Sequence, residues 1–215
     1  MIKKILEKYK INTNKKKAIP TYFPFVMYEE EKEIFKKYIQ NSKGYIEFGL
    51  GGSTISSLIN SQTIIHSVDT NDSWINFMKE YKIIQDNLDK RLHIYKVDIG
   101  PTKSWGYPID DSRKDSYKIF SSKIFSEVDL NLIDTILVDG RFRIACTLNT
   151  VLNFYDLKEV NILIHDYSLR EDYKIVEKYL DLKEKTKTLY VFKIKENIDV
   201  SNLKNDILKF ENNLD

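Results

Sequence analysis

The sequence predicts an α/β fold built on an open, mostly parallel and twisted sheet with helices on both of its faces. Three observations support this prediction: β-favouring apolar runs alternate with segments of helical apolar spacing, acidic residues follow the runs, and a late β-favouring run lies near the C-terminus. Strands that alternate with helices are joined by right-handed crossover connections, which place neighbouring strands parallel.

Five strand-like runs rich in Ile, Val, Leu and Tyr occupy residues 45–48, 63–68, 92–97, 133–138 and 160–165. The later run LYVFKIK predicts a further, antiparallel strand. Helical spacing lies between the runs, and residues 201–214 predict a terminal amphipathic helix. Ser168-Leu169-Arg170-Glu171 has the pattern of a capping box and predicts that a further helix begins there.

The chain is expected to consist of an N-terminal appendage, residues 1–28, and a single α/β domain, residues 29–215. In the appendage, a short helical face precedes the lysine run 15–17, which favours a packing helix and a solvated linker. A helix for a membrane surface or a partner protein is the alternative interpretation.

The composition is that of an ordinary globular protein, with 42% hydrophobic and 31% charged residues. The formal net charge is only +2, so no nucleic-acid partner is expected. No apolar run approaches the ~18 residues that span a bilayer, and no signal peptide is evident. Cys146 is the only cysteine, which excludes an internal disulfide and favours a core residue in a reducing compartment. We therefore expect a cytoplasmic protein with a small-molecule substrate, and the sequence leaves open whether it forms a homo-oligomer.

Acidic residues lie where an open α/β sheet binds its ligands, at the carboxyl ends of the strands. Each of the five runs ends at or beside a carboxylate, in the order Glu47, Asp69, Asp98, Asp139 and Asp166. One such aspartate is a common turn residue, but five in succession predict a binding site along one edge of the sheet.

The first of these ends carries the glycine-rich stretch YIEFGLGGST, residues 45–54. It departs from the dinucleotide fingerprint G-x-G-x-x-G, because Thr54 stands at the position of the third glycine. Glu47, just before the loop, would also disfavour a pyrophosphate. A positively charged ligand tolerates this carboxylate, so the loop favours a cationic cofactor.

The stretch E-F-G-L-G-G-S, residues 47–53, resembles the first motif of class I S-adenosylmethionine (SAM)-dependent methyltransferases, which have a Rossmann-like fold. The resemblance implies that the loop bends around the methionine part of SAM, that Asp69 binds the ribose and that Asp98 contacts the adenine. The implied cofactor-binding residues are Glu47, Gly49, Gly51, Ser53, Thr54, Asp69, Asp98 and Ile99. The structural alternatives are a tight turn for the glycines, a helix cap for Asp69 and a turn for Asp98.

Asp139 and Asp166 occupy positions that resemble the metal-binding acids of cation-dependent small-molecule O-methyltransferases. In that subgroup an asparagine follows the second acid, whereas Tyr167 does so here; a site for Mg²⁺ or another divalent cation on the two acids is therefore one alternative. Without a metal, His165 or Asp166 is the expected base. The candidate catalytic residues are Asp139, His165 and Asp166.

Two segments are expected to form the acceptor pocket. The irregular stretch IGPTKSWGYP, residues 99–108, follows a strand end and offers two aromatic side chains as walls. The arginines of LVDGRFR suit a carboxylate or phosphate on the substrate, or alternatively pair with the neighbouring acids. The candidate substrate-binding residues are Trp105, Tyr107, Arg141, Arg143 and Tyr167.

Residues and resemblance together predict a SAM-dependent methyltransferase that acts on a small polar acceptor, at a hydroxyl oxygen of a sugar, nucleotide-sugar or phosphorylated metabolite. Two other classes stay open: a SAM-fold binding module without turnover and a nicotinamide-dependent oxidoreductase. The acids after the fourth and fifth runs disfavour the first, and Glu47 with Thr54 disfavours the second. Methylation of RNA is a variant that the near-neutral charge disfavours and the lysine-rich N-terminus keeps open.

Overall fold

The computed structural model describes residues 23–157 and 159–214. In this part of the chain, seven strands form one sheet: β1 Gly44–Phe48, β2 Ile64–Asp69, β3 Leu92–Lys96, β4 Thr135–Val138, β5 Asn161–Ile164, β6 Leu180–Thr186 and β7 Leu189–Ile194. Their order across the sheet is β3-β2-β1-β4-β5-β7-β6. Strands β1 to β5 are parallel, and β7 is antiparallel to β5 and β6. The predicted open, mostly parallel sheet with a late antiparallel strand is confirmed.

The α-helices of the described residues are α1 Glu29–Gln40, α2 Gly52–Asn60, α3 Asp72–Met78, α4 Lys82–Asn87, α5 Tyr117–Ser122, α6 Ile124–Glu127, α7 Arg143–Phe154 and α8 Val200–Phe210. Short 3₁₀ helices lie at Ser104–Gly106, Lys114–Ser116, Leu130–Leu132, Tyr167–Leu169 and Glu171–Lys178. None of these helices combines the length and the apolar character needed to cross a bilayer.

Two hydrophobic cores lie on opposite faces of the sheet. On β1, Ile46 and Phe48 enter the first core, whereas Tyr45 enters the second. Successive side chains of a strand point to opposite faces, so the alternation places one core on each face. The first core is closed by apolar residues of α5 to α8, and the second by those of α1 to α4. Helices therefore cover both faces of the sheet, as predicted.

Two elements differ from the sequence-based expectation. The predicted capping box does not form, because the 3₁₀ helix begins at Glu171 without a side-chain cap, and the Ser168 hydroxyl donates to the Lys187 carbonyl at 3.3 Å. Strand β6 was not predicted, since its sequence, LDLKEKT, is largely charged. Charged residues are typical of an edge strand, where they discourage pairing with another chain.

Most of the predicted appendage lies outside the described residues, including its helix and its lysine run. The described end of this segment contributes Phe23, Phe25 and Met27, which pack against the second core. Further along the chain, Cys146 on α7 is fully buried, in agreement with the core position expected for it.

Candidate functional site

The glycine-rich loop joins β1 to α2 through a tight turn. Gly49 has a φ of +114°, in the left-handed region, and a Cβ there would lie 3.1 Å from the carbonyl oxygen of Asp139. The backbone N–H of Gly49 donates to the Val68 carbonyl at 2.9 Å. The loop therefore turns between the ends of β2 and β4, the two strands that flank β1.

The next two glycines have different surroundings. Among the described residues, no atom lies within 4 Å of the place that a Cβ of Gly51 would take. At Gly52, by contrast, a Cβ would lie 2.3 Å from the Pro24 carbonyl oxygen, because the N-terminal segment packs there. The side of the loop at Gly51 is therefore open, and it fits a cofactor that approaches the backbone closely.

Glu47 lies beneath this loop and is fully buried. Three hydroxyl groups donate to its carboxylate, from Tyr45 at 3.0 Å, from Ser53 at 2.8 Å and from Thr54. Burial raises the pKa of Glu47 to about 7, although these hydroxyl groups favour the ionised form. Thr54 also accepts the Gly51 N–H at 2.9 Å. In this structure, Glu47, Ser53 and Thr54 thus support the loop from within.

Asp69, at the end of β2, holds the same loop from the other side. Its carboxylate accepts the backbone N–H groups of Leu50 at 3.0 Å, Thr70 at 2.7 Å and Asn71 at 3.0 Å. Burial raises the pKa of Asp69 to about 6 in spite of these bonds. The helix cap of α3 is Asn71, which accepts the Trp74 N–H at 2.9 Å. Capping of α3 therefore does not explain Asp69, which is partly exposed and holds the glycine-rich loop through the Leu50 N–H.

Asp98 and Ile99 follow β3 and have contrasting environments. Asp98 is exposed, accepts the Gly100 N–H at 2.9 Å and lies 3.7 Å from Arg113 Nη2. Ile99 is fully buried in the first core. The expected turn is present at Asp98, and the exposure of its carboxylate leaves it accessible to a ligand.

The ends of β4 and β5 bring the three candidate catalytic side chains together. His165 Nδ1 lies 2.9 Å from Asp139 Oδ1 and 3.8 Å from Asp166 Oδ1. The other ring nitrogen, Nε2, lies 3.3 Å from a carboxylate oxygen of Glu31 on α1. Glu31 is a member of this group that sequence reasoning missed.

Glu31 is fully buried although it lies in the charged run EEEKEIF. Its carboxylate accepts the N–H and hydroxyl of Thr188, both at 2.8 Å, and the Leu189 N–H at 3.1 Å. It occupies the same face of α1 as the buried Phe35 and Ile39, four and eight residues further on. This helical spacing is the signal that could have identified Glu31 as an inward-facing residue.

Arg143, the first residue of α7, bridges the two aspartates. Its Nη2 lies 3.4 Å from Asp139 Oδ1, and its Nη1 lies 3.1 Å from Asp166 Oδ2. The nearly buried guanidinium also donates to the carbonyl oxygens of Gly140, at 3.0 Å, and of His165. The salt-bridge alternative thus describes Arg143 in this structure. We call Glu31, Asp139, Arg143, His165 and Asp166 the charged cluster.

Charges within this cluster determine the protonation of its members. Burial alone would lower the pKa of His165, but Asp139, Asp166 and Glu31 raise it to about 9. Burial opposes ionisation of Asp139, but His165 and Arg143 lower the pKa of that carboxyl. Near neutral pH, His165 is therefore a cation between carboxylates.

The donor set of the cluster also suits a metal ion in part. Asp139, His165 and Asp166 each offer a ligand atom, and these atoms lie within 4.8 Å of one another. Carboxylate oxygens are ligands that Mg²⁺ prefers. Arg143 already spans both carboxylates, so a divalent cation would have to share them with the guanidinium or displace it.

The segment 99–108 folds over the same edge of the sheet. Thr102 and Pro108 form a short antiparallel bridge, and Asn71 Nδ2 donates to the Thr102 hydroxyl at 2.7 Å. At the tip, Trp105 is 69% exposed and has a φ of +62°. This loop is thus tied to the end of β2 and presents an aromatic side chain to solvent.

Tyr107, near the C-terminal end of this loop, packs against Arg141. The Arg141 Cζ lies 4.2 Å from the centroid of the Tyr107 ring, and Arg141 is nearly buried. Burial acts to raise the pKa of Tyr107, but the guanidinium groups of Arg141 and Arg170 lower it overall. Arg170, which the sequence pattern indicated only as part of a helix start, has its Cζ 5.9 Å from the centroid of the Tyr173 ring.

Tyr167 has a different environment from the other candidate pocket residues. Its buried hydroxyl donates to Glu177 at 2.8 Å, and its ring lies 4.7 Å from that of Tyr190 and 5.0 Å from that of Phe192. The structure therefore gives Tyr167 a packing role in the first core.

Comparison with solved structures identifies the fold family. A methyltransferase-like protein from Silicibacter pomeroyi is 25% identical to this chain with a TM-score of 0.78, and the match covers 90% of this chain and 99% of that protein. The fold is that of the class I SAM-dependent methyltransferases. No protein-family model and no curated protein sequence matches the chain.

Two further proteins with the class I methyltransferase fold are each 10% identical to this chain, with a TM-score of 0.52 and a match over 90% of it. They are a methyltransferase from Geobacter sulfurreducens, covered over 85%, and an O-methyltransferase from Bacillus cereus in complex with S-adenosylhomocysteine (SAH), covered over 88%. At this identity the likeness concerns the class I methyltransferase fold alone.

Proposed function

We propose that this chain is a SAM-dependent methyltransferase that transfers a methyl group to a hydroxyl oxygen of a small polar acceptor. The observation that carries the proposal is the close approach of Gly49 to Asp139, where an added Cβ would lie 3.1 Å from the carbonyl oxygen. A ligand held along the open side of the glycine loop therefore lies next to the acids that follow β4 and β5. The likeness to the Silicibacter pomeroyi protein supports the same function.

In this proposal, SAM is held by the backbone at Gly49 and Gly51 and by the carboxylates of Asp69 and Asp98. Glu47, Ser53 and Thr54 support SAM binding indirectly, because their hydrogen bonds fix the shape of the loop. SAM, when bound, supplies an electrophilic methyl carbon on a sulfonium centre.

In the proposed reaction, the charged cluster takes the proton from the acceptor hydroxyl. Bound SAM would transfer its methyl group to the hydroxyl oxygen with the carbon–sulfur electron pair left on sulfur, and Asp166 would accept the proton of that hydroxyl. Asp166 is partly exposed, whereas His165 is nearly buried, already protonated near neutral pH and engaged at both ring nitrogens. His165 and Arg143 keep the two aspartates in place.

The acceptor is proposed to be a sugar, a nucleotide-sugar or a phosphorylated metabolite. Trp105 and Tyr107 offer aromatic walls beside the charged cluster, and Arg141 adds a positive charge. Such a wall suits the apolar face of a sugar ring, while the arginine suits a charged substituent.

Binding of a divalent cation by Asp139 and Asp166 is proposed separately, and methyl transfer does not depend on it. Mn²⁺, used as a probe for Mg²⁺, is expected to bind the full chain at these carboxylates, and Asp166→Asn should abolish that binding in electron paramagnetic resonance titrations. Equal Mn²⁺ binding by the variant, or no binding by the wild type, would contradict a cation site at these carboxylates. The proposed methyl transfer would then depend on Asp166 and its protein partners alone.

Calorimetric titration with SAM and SAH tests the cofactor assignment. Asp69→Ala should weaken binding of both ligands at least about tenfold, because a carboxylate acceptor of hydroxyl groups is lost. Asp86→Ala is the matched control, since Asp86 is an exposed aspartate that pairs with Lys82. The proposal fails if the wild-type chain binds neither ligand, and enhanced NADH fluorescence would favour the oxidoreductase instead.

Turnover is tested by conversion of SAM to SAH in the presence of hydroxylated acceptors. Asp166→Asn should reduce the rate by about 10²-fold or more while leaving SAH affinity within about twofold, because the base acts on the acceptor. SAM binding without turnover on any acceptor would favour the binding module.

A further inference from the structure

The segment of residues 23–28, which precedes α1, packs against the start of α2 at the end of the glycine loop. A Cβ at Gly52 would lie 2.3 Å from the Pro24 carbonyl oxygen and 2.5 Å from the Phe25 Cα. Gly52 is the first residue of α2 and directly follows Gly51. A side chain at position 52 would therefore push this segment away, because only glycine allows so close an approach of two backbones. We call residues 23–28 the N-terminal strap.

Side chains of the strap alternate between the protein interior and solvent. Phe25 and Met27 pack against the second core, whereas Val26 and Tyr28 are exposed. This alternation is typical of an extended segment with one buried face. The Phe25 ring lies 5.6 Å from the Phe35 ring on α1 in an edge-to-face arrangement. The strap is therefore anchored on the domain through Phe25 and Met27.

Aromatic rings connect the strap to the interior of the glycine loop. The Phe35 ring, which contacts Phe25, also lies 6.1 Å from the Tyr45 ring on β1. The Tyr45 hydroxyl donates at 3.0 Å to the buried carboxylate of Glu47, which supports the loop from within. The strap thus contacts the loop region directly at Gly52 and is connected through two rings to the carboxylate beneath it.

The other end of the strap reaches the charged cluster. The Tyr28 N–H donates to Glu31 Oε2 at 2.9 Å, and the same oxygen lies 3.3 Å from His165 Nε2. Pro24 and Phe25 therefore contact the glycine-loop end of the proposed site, while Tyr28 contacts the cluster. Displacement of the strap would remove a contact from each of the two parts.

We propose that the N-terminal strap is a positioning element that holds the glycine loop in the shape that binds SAM. The inference rests on the proposed methyltransferase function and adds residues 23–28, which lie outside the predicted site, to the cofactor site. Phe25 and Gly52 are positioning residues, because they act through the backbone of the loop. A loop that is already ordered loses less conformational freedom when the cofactor binds, so docking of the strap strengthens binding.

The test measures SAH affinity of the full chain by calorimetry and uses two different ways of displacing the strap. Phe25→Ala removes the aromatic anchor, whereas Gly52→Ala keeps every strap side chain and places a methyl group against the Pro24 carbonyl oxygen. Val26→Ala is the matched control, because Val26 is an exposed residue of the same strap. Phe25→Leu keeps an apolar anchor and serves as the conservative variant.

Phe25→Ala and Gly52→Ala should each raise the SAH dissociation constant about fivefold or more. The double variant should bind about as tightly as the weaker single variant, because both substitutions break the same contact. Phe25→Leu should recover most of the affinity, and Val26→Ala should stay within about twofold of the wild type. Loss of stability alone does not change the dissociation constant of the folded protein, so this measurement separates positioning from packing.

Amide hydrogen exchange of the loop, followed by NMR without ligand, tests the strap independently of SAH. The Leu50 and Gly51 N–H groups are hydrogen-bonded within the loop region, and they should exchange faster in Phe25→Ala than in the wild type or Val26→Ala. Unchanged exchange in Phe25→Ala overturns the inference, as does an SAH affinity within about twofold of the wild type. If the wild type binds no SAH, the methyltransferase function fails, and the exchange rates alone decide whether the strap orders the loop.

Discussion

The glycine-loop region, residues 45–71, and the charged cluster lie at one edge of the same sheet but are stabilised in different ways. In the glycine-loop region, neutral donors surround two acids: hydroxyl groups surround Glu47, and backbone N–H groups surround Asp69. In the charged cluster, the carboxylates face a guanidinium and an imidazole.

This difference shows how partners determine the ionisation of buried acids. With neutral donors, burial dominates and raises the pKa of Glu47 to about 7 and that of Asp69 to about 6. With cationic partners, the pKa of Asp139 is lowered despite burial, and that of His165 rises to about 9. The cluster therefore keeps its charges near neutral pH, whereas the loop acids titrate there.

The largest effect should come from Arg143→Met, which removes the guanidinium but keeps much of the buried apolar stem. Asp139 and Asp166 then lose the cation between them, and the free energy of unfolding should fall by about 3–5 kcal/mol in urea titrations. Arg113→Met is the control, because Arg113 is exposed and its pair with Asp98 should contribute at most about 1 kcal/mol. Equal losses of stability in both variants would contradict the conclusion that the charged cluster depends on its cationic partner.

The glycine-loop region should respond to pH through Glu47. Its folded pKa of about 7 lies above the ordinary glutamate value of 4.5, so the folded state binds more protons and stability falls as pH rises between these values. The fall should amount to at most about 3 kcal/mol for this group. Glu47→Gln should remove this contribution to the pH dependence of the free energy of unfolding. Denaturant titrations at about pH 5, 6 and 8 measure that dependence. An unchanged slope would refute the raised pKa.

The charged cluster should show its pH dependence at higher values. The folded pKa of His165, about 9, exceeds the ordinary histidine value of 6.5, so its stabilising contribution is complete below pH 6.5 and is lost as pH rises through 9. Glu31→Gln removes one carboxylate from His165 and should cost about 2 kcal/mol at pH 6.5, with a smaller cost at pH 10. Glu30→Gln, on the exposed side of the same turn, is the control in the unfolding titrations. A cost that does not vary with pH would exclude the contribution of His165.

The smallest expected effect is the difference in stability between substitutions of the two tryptophans. Trp74 Nε1 donates to the carbonyl of Leu50 in the glycine loop at 2.6 Å, so Trp74→Phe should reduce stability by about 1 kcal/mol and weaken SAH binding a few-fold. Trp105→Phe, at the exposed loop tip, should leave unfolding unchanged. Thermal unfolding and calorimetry on both variants check this pair, and matching results would show that the loop does not depend on Trp74.

The parallel strands β1 to β5 were predictable because each is an apolar run followed by a turn, and the predicted runs lie within two residues of their observed bounds. Strand β6 was not, because only its pairing with β7 determines that a charged segment is extended. The Ser168 capping box failed for a related reason: its hydroxyl is engaged by the turn between β6 and β7, which no local pattern reveals.

The glycine loop and the acids at the strand ends could be predicted from the sequence, because these features depend on local backbone geometry and on the alternation of strands and helices. The pairing of the acids could not, because their partners come from distant parts of the chain. Glu31 reaches His165 across 134 positions of sequence, and Arg143 spans two strand ends. Burial and charge pairing depend on which elements meet in space, so the raised pKa of His165 follows from packing and not from any local sequence pattern.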